Sequence, residues 1–544
     1  MEGLNRKPSG ASLYTKGIGP SLVAILALTF YLRFLFFGQY IDGDVGNVAY
    51  MGWRMAEGEV LIDREGPGKP PLYPMLYAVF VMLFGPSVLG LKLFGTLFAL
   101  MAVIAIYWVG QQAYGKGAGL FSALLFGVFS SAPMVEGGTV NLETLLHLPS
   151  LLSIGFFLKA SQSDRARGYL LTGIFGALAT LVKQVGGVVF LTFLCCEGSR
   201  GVAFKRRAIR LGLLGGGALL PILGVVSFFL YHGYSPEVLY DSMLGSNLRY
   251  IQRGYEDSNL IYFFAASMKR IVLENSLLWI GTLFSLGVLF SKKKGGRLEV
   301  PDRIFLWWAF WSFLAVCIPG TFYAHYFLLV VAPFSLLTAH GILWAWERTK
   351  SLSALSKKIS RGILTFVLTI SAFLFVRTDY KYFFTYSSTE QTIHQFKGLD
   401  GIFDSYQYGL YNFIQHHLAS YLKAATEPNE TLYVWGIAPQ VYFLAQRRAA
   451  TQYRNNFNLS ENVTRTPHKD FAGYKEKVIE EITHSPPAYI LKIFELEHFP
   501  ELKSMVEKRY EIDPKVDEIF IPPHKIRLYR KKDGQFYTGG EGAL

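Results

Sequence analysis

Between Ile18 and Val376 the chain carries apolar runs, about eleven in all and several roughly 18–22 residues long, the length that crosses the hydrocarbon core of a bilayer. They fall near 18–38, 88–110, 118–134, 145–160, 169–183, 185–197, 211–231, 272–290, 304–319, 324–346 and 361–376. Composition agrees: 17% of residues are charged and 51% hydrophobic, where a soluble chain carries about a quarter charged. A polytopic α-helical membrane protein is the reading. The first run holds Arg33 and leads into further membrane, which makes it an uncleaved anchor rather than a signal peptide.

Charge orients the runs. Lys116, then Lys159, Arg165 and Arg167, then Lys205 to Arg210, Lys292 to Arg297 and Arg348 to Lys358 all fall in loops on one side. By the positive-inside rule that side is the cytoplasm, so loop 39–87 and everything after Arg377 are expected outside. Residues 377–544 carry 21 basic and 21 acidic side chains, so the net charge of +13 belongs entirely to the membrane part. That distribution orients helices and argues against a nucleic-acid partner, for which a basic soluble face would be expected. Cys195, Cys196 and Cys317 all lie in expected spans, leaving no disulfide framework. N-x-[ST] triplets begin at Asn429, Asn458 and Asn462, and matter only in a glycosylating secretory pathway.

The expected organisation is a transmembrane domain, 1–376, with a structured first outer loop at 39–87, and an extracytoplasmic α/β domain, 377–544. Within the loop, Asn47, Tyr50, Arg54 and Glu57 recur at helical spacing, as in a helix lying in the interface. The apolar run Leu72 to Phe84 is short for a span and ends at Gly85-Pro86, so it reads as interfacial or re-entrant. In the tail, Asp404 to Ala425 predicts a helix, and Thr431–Trp435, Ala488–Lys492 and Lys525–Tyr529 predict strands.

Chemistry concentrates in the outer loops. Asp44 is the candidate general base, since transfer to a hydroxyl needs a carboxylate within reach of the acceptor proton; the alternative is that it N-caps the following helix, with Asn47 at N3. Asp42 is a candidate to assist it or to bind a divalent cation, or a solvated loop aspartate. Lys69, in Gly66-Pro-Gly-Lys-Pro-Pro-Leu-Tyr73, suits a lipid phosphate at the interface, against ordinary snorkelling to the headgroups. Arg249 and Arg253 are further candidate phosphate ligands, or parts of a solvated loop. Glu136 and Glu143, at the outer ends of two spans, are candidates to bind sugar hydroxyls or acceptor, or helix-end carboxylates facing water. Tyr73, Lys183 and His325 complete the acceptor and sugar candidates, with a packing role as the alternative for the histidine.

These residues, in this order, resemble the GT-C fold glycosyltransferases, within them the bacterial branch related to protein O-mannosyltransferases and to the aminoarabinose transferase that modifies lipid A. The segment Asp44-Val-Gly-Asn-Val-Ala-Tyr50 through Gly58 is similar to the family's acidic motif and amphipathic helix. Lys69-Pro70-Pro71 matches its lysine stretch, and Lys183-Gln184, His325-Tyr326 and Val434-Trp435-Gly436 also correspond. Two positions depart: Val45 stands where an Asp-Glu pair is common, and Gly68 where the lipid A branch often has an acid. The resemblance implies about eleven transmembrane helices with a small exported α/β domain, in a bacterial inner membrane. It implies transfer of a sugar from a polyprenyl-phosphate donor to a lipid, glycan or protein acceptor outside, with inversion, Asp44 as base and Lys69 with an outer-loop arginine on the departing phosphate. A lipid-linked sugar transporter or a non-catalytic envelope subunit are the alternatives. A transporter would be expected to show paired half-chain repeats and broken mid-membrane helices, which the sequence lacks.

Overall fold

The computed structural model describes residues 18–62, 68–257, 260–294, 298–380, 384, 405–454, 456, 473–516, 519–521 and 524–532. Each of the eleven apolar runs lies on a helix. These are α1 (Ile18–Phe34), α4 (Val88–Tyr114), α5 (Lys116–Phe129), α6 (Leu142–Ser163), α7 (Ala166–Val182), α8 (Val188–Gly198), α9 (Phe204–Tyr231), α13 (Ser276–Lys294), α14 (Val300–Cys317), α15 (Leu328–Arg348) and α16 (Ala354–Tyr380). Among the described residues six helices are long and apolar enough to cross a bilayer alone. A seventh crossing forms if α12 (Leu260–Glu274) and α13, bent by 95° at their junction, count as one. The others, from 11-residue α8 to the 17 residues of α1 and α7, rise about 17–26 Å, short of a full hydrocarbon core.

The first loop contains α2 (Gly43–Ala56) and α3 (Leu72–Phe84). The boundaries of α3 are those of the apolar run, and Val79, Met82, Leu83 and Phe84 are exposed on it, as a partly inserted helix requires. Helix α2 differs from expectation. It does not lie in the interface with a wetted polar face: Asn47, Tyr50 and Arg54 are all buried. The reason is the tail, which packs on that face and supplies polar partners. The Ala449 amide donates to the Tyr50 hydroxyl at 2.9 Å, and the Arg454 guanidinium sits over the Tyr50 ring. Among the described residues the segment after α9 is also largely helical, as α10 (Pro236–Tyr240), a π-helical turn at Asp241–Gly245, α11 (Ser246–Asp257) and α12.

The described residues of the tail beyond 384 comprise α17 (Ser405–Ala425) and a sheet. Its strands are β1 (Thr431–Trp435), β2 (Arg448–Ala449), β3 (Tyr489–Lys492), β4 (Tyr510–Ile512), β5 (Ile519–Ile521) and β6 (His524–Lys531), with α18 (Gln440–Ala445), α19 (Tyr474–His484) and α20 (Pro500–Arg509) between. The order is β2-β1-β3-β6-β4, with β5 on β6; β1 and β3 are parallel, β3 and β6 antiparallel. The three predicted strands are its centre, where Trp435, Tyr433 and Leu528 are fully buried. The short edge strands β2, β4 and β5 had too few residues to show a period.

Contacts between tail and first loop are close. The Ile41 amide donates to His416 Nε2 at 3.0 Å, and the Gln446 side-chain amide donates to the Pro86 carbonyl at 3.0 Å. Gly46 faces α18 so tightly that a Cβ there would sit 2.5 Å from the Gln440 Cα. The atoms opposite are the Cβ, Cα and N of Gln440, none of them the free end of a flexible side chain, so the neighbour cannot yield. Gly46→Ala is therefore expected to destabilise the protein by about 1–3 kcal/mol through overpacking. A thermal melt in detergent checks this; an unchanged Tm would mean that the tail is not seated on α2 in solution.

Candidate active site

Two buried cations shape the chain before the site begins. Lys92, on α4, donates to the carbonyls of Phe36 (2.6 Å) and Gln39, closing the end of α1. Arg33 donates to the Gly137 carbonyl at 2.5 Å. The chain then turns into α2 through Asp42, whose extended backbone (φ −87°, ψ 177°) and side chain accepting from the Val45 amide at 2.8 Å make it the N-cap. The cap weighed as the alternative role of Asp44 thus belongs to Asp42. With one oxygen committed there and 5% exposure, Asp42 is not the solvated loop aspartate either.

Asp44, in the first turn of α2, has a different environment. Its side chain is 65% exposed while Lys69, 13% exposed, meets it from the side, Nζ to Oδ1 at 2.8 Å and Nζ to the Asp44 carbonyl at 3.3 Å. The Lys69 charge, foremost, holds the Asp44 carboxyl below its ordinary range, with His325 and Lys183 adding to the effect. The exposed Asp44 carboxylate thus has the Lys69 ammonium beside it and the polar side chains of His325 and Lys183 near enough to act on its charge.

Lys69 is held by its neighbour. The Gly68 carbonyl accepts from the side-chain amides of Gln184 (2.9 Å) and Asn247 (2.6 Å), and the Gly68 amide donates to Ser246 Oγ at 2.8 Å. A Cβ at 68 would stand 2.8 Å from the Ser242 carbonyl carbon and nearer still to its oxygen. The departure from the family pattern at this position therefore has a steric cause: the π-helical turn occupies the space an acid would need.

A second tier lies beside the first. Glu136 takes a left-handed backbone, φ 52°, uncommon away from glycine. Its Oε2 accepts from Asn141 Nδ2 (3.4 Å) and from His325 Nδ1 (3.0 Å). Glu143 pairs with Lys183, whose ammonium also sits 4.7 Å from the centroid of the Tyr326 ring. His325 stacks parallel on Tyr323 at 5.9 Å, and the Tyr250 hydroxyl, on α11, donates to Thr321 Oγ1 at 3.4 Å. Glu136 and Glu143 are 3% and 1% exposed, so neither is a helix-end carboxylate facing water. His325 is not merely a packing residue.

Other candidates fare differently. The Tyr73 hydroxyl is buried and donates to the Val140 carbonyl at 2.6 Å; it braces the 136–141 loop and is not presented to a sugar. Arg249, one turn beyond Ser246 on α11, pairs with Asp241 at 2.6 Å. The side chain of Arg253, with Asn458, Asn462, Gly66 and Pro67, lies outside the described residues. Among the described residues no group of three His, Cys, Asp or Glu side chains is gathered as a metal site would need. Gln184, Asn247 and Ser246 were not legible as a set, being far from Gly68 in sequence. Arg33 and Lys92 carried the one available signal, a cation inside an apolar run.

Burial, first, and the Asp44 charge beside it push the Asp42 carboxyl up to about 6. The folded state then holds this proton more tightly than the unfolded chain, so the group's contribution to stability is present at low pH and lost as pH rises from about 4 through about 6. Asparagine caps as well as aspartate and carries no charge. Asp42→Asn is expected to match or exceed the parent's Tm near neutral pH, the advantage fading on acidification. Melts across that window check it, and a variant clearly less stable at neutral pH would show that the charge itself is needed.

Residues 68–228 match the family described as dolichyl-phosphate-mannose-protein mannosyltransferase. Similar solved structures include ArnT from Cupriavidus metallidurans bound to undecaprenyl phosphate, at 15% identity and TM-score 0.54, covering 96% of this chain and 98% of that one. The apo oligosaccharyltransferase of Archaeoglobus fulgidus aligns at 13% identity and TM-score 0.55, covering 89% and 71%. AglB from the same organism, in complex with an inhibitory peptide and a dolichol-phosphate, aligns at 12% and 0.50, covering 92% and 73%. No curated protein sequence matches the chain. The chain is a multi-pass membrane protein of the GT-C fold, the fold of these membrane glycosyltransferases, as the resemblance implied.

Proposed function

We propose that the chain is a membrane glycosyltransferase that moves a sugar from a polyprenyl-phosphate donor to an acceptor hydroxyl on a lipid, glycan or protein. Residues 1–376 form the catalytic membrane unit and 377–544 an exported domain that seats the first loop, in a bacterial inner membrane with the site on the outer side. The observation that carries this reading is the Asp44–Lys69 pair: an exposed carboxylate held beside an enclosed ammonium. Asp44 takes the proton of the acceptor hydroxyl. The acceptor oxygen bonds to the anomeric carbon as the bond from that carbon to the phosphate oxygen breaks, and the configuration inverts. Polyprenyl phosphate leaves with its new charge on Lys69, and Arg249 adds a second cation from α11. Glu136, His325, Glu143 and Lys183 form the polar wall against which the sugar and acceptor rest. Two structures of this fold whose ligands are polyprenyl phosphates support the choice of donor.

The test is reconstitution: purified full-length protein with a panel of polyprenyl-phosphate sugars and hydroxylated acceptors, products read by mass spectrometry and anomeric configuration by NMR. Transfer with inversion supports the reading. Retained configuration, or no transfer with any donor that measurably binds, contradicts it.

A further inference from the structure

We infer that donor binding and base activation share one cation: a lipid phosphate takes Lys69 from Asp44, and that exchange is what readies Asp44 to accept a proton. The inference rests on the function proposed above and adds an order to it, donor before acceptor.

Four observations lead there. Lys69 Nζ makes an ion pair, 2.8 Å, with the carboxylate proposed as base, so in this state the base and the phosphate ligand occupy each other. The backbone just before Lys69 is fixed by three hydrogen bonds, from Gln184 and Asn247 to the Gly68 carbonyl and from the Gly68 amide to Ser246. The ammonium therefore changes partner by rotating its own flexible stem, not by moving the chain. Third, Asp44 is the exposed member of the pair and Lys69 the enclosed one, so an anion entering the recess meets the ammonium where the carboxylate now holds it. Fourth, Lys69 is the foremost influence keeping the Asp44 carboxyl ionised. Once a phosphate neutralises that cation, proton affinity at Asp44 rises at the step where the acceptor proton must be taken. Proton and charge balance: the acceptor proton goes to Asp44, and the electron pair of the broken bond goes to the phosphate oxygen beside Lys69. Polyprenyl phosphate, a monoester, carries more charge than the diester donor and holds Lys69 more strongly, so its departure resets the pair.

The consequence runs against ordinary expectation for a base: removing its charge should tighten lipid-phosphate binding. Undecaprenyl phosphate is titrated onto the full-length protein in nanodiscs, with affinity read by native mass spectrometry, for the parent, Asp44→Asn, Lys69→Ala and the double variant. Loss of one competing ion pair predicts binding roughly three- to tenfold tighter in Asp44→Asn, weaker binding in Lys69→Ala, and no gain from Asp44→Asn in the Lys69→Ala background. Equal or weaker binding in Asp44→Asn overturns the inference while leaving the transferase reading in place. A gain that persists without Lys69 also overturns it, because Asp44 would then act by general repulsion. Should undecaprenyl phosphate bind none of the four, the donor assignment fails and the inference with it. Asp44→Ser, run in parallel, guards against a folding defect of the asparagine variant.

Discussion

Asp44→Asn is expected to lower turnover by about 10²–10⁴-fold, the usual worth of a positioned general base, while leaving the fold intact. Both halves follow from the geometry. The carboxylate is exposed and reaches Lys69 without bonding to backbone amides of its own helix, because Asp42 already caps α2. Asparagine therefore keeps the shape of the side chain and leaves the Asp42 cap in place, at a cost of about 1 kcal/mol or less from the lost charge in the first turn. What disappears is the ability to accept a proton. Steady-state rates with the best donor of the reconstitution panel, beside a thermal melt, check the two halves separately. A variant that turns over within threefold of the parent would move the base elsewhere, with Glu136 the next carboxylate of the recess. A variant that fails to fold would instead show that the Asp44–Lys69 pair is structural.

Lys183→Ala is expected to be the most destabilising single change in the second tier. Glu143 is 1% exposed and pairs with Lys183, and removing one partner of a buried pair costs about 3–5 kcal/mol because the other charge is left uncompensated. The position makes matters worse, since Lys183 ends α7 and precedes Gln184, which holds the Gly68 carbonyl. Loss of the pair should thus reach Lys69 as well. The double variant Glu143→Gln, Lys183→Met removes both charges together and is expected to recover most of the lost stability, because no orphan ion remains. Melting temperatures of the single and double variants separate a charge effect from a packing effect. If the double variant melts as low as the single, the lysine stem matters and the charge does not.

Much of this architecture was legible in the sequence because bilayers impose length and polarity so strictly. Helix α3 ends where the apolar run ends, at Gly85. The central strands of the tail announced themselves by runs such as Thr431–Trp435. What was not legible was partnership. Asp42-Gly43-Asp44 offers two residues suited to a cap, and only the extended backbone at Asp42 decides between them. The polar stripe on α2 is compatible equally with water and with another domain; the covering residues, Gln440 and Ala449, lie about 400 positions away. Glu136 and His325 are separated by 189 residues, so no local spacing could join them. The glycine at 68 was visible as a departure, but its reason, the Ser242 carbonyl, belongs to the π-helical turn Asp241–Gly245, far from it in sequence.

The most direct examination of the Asp44–Lys69 recess as the lipid-phosphate site is a structure of the full-length protein with undecaprenyl phosphate. The phosphate should lie within hydrogen-bond distance of Lys69 Nζ, with the Asp44 carboxylate parted from the ammonium and turned to the open side of the recess. Density for the phosphate elsewhere, with Lys69 still closed on Asp44, would contradict the assignment of both residues.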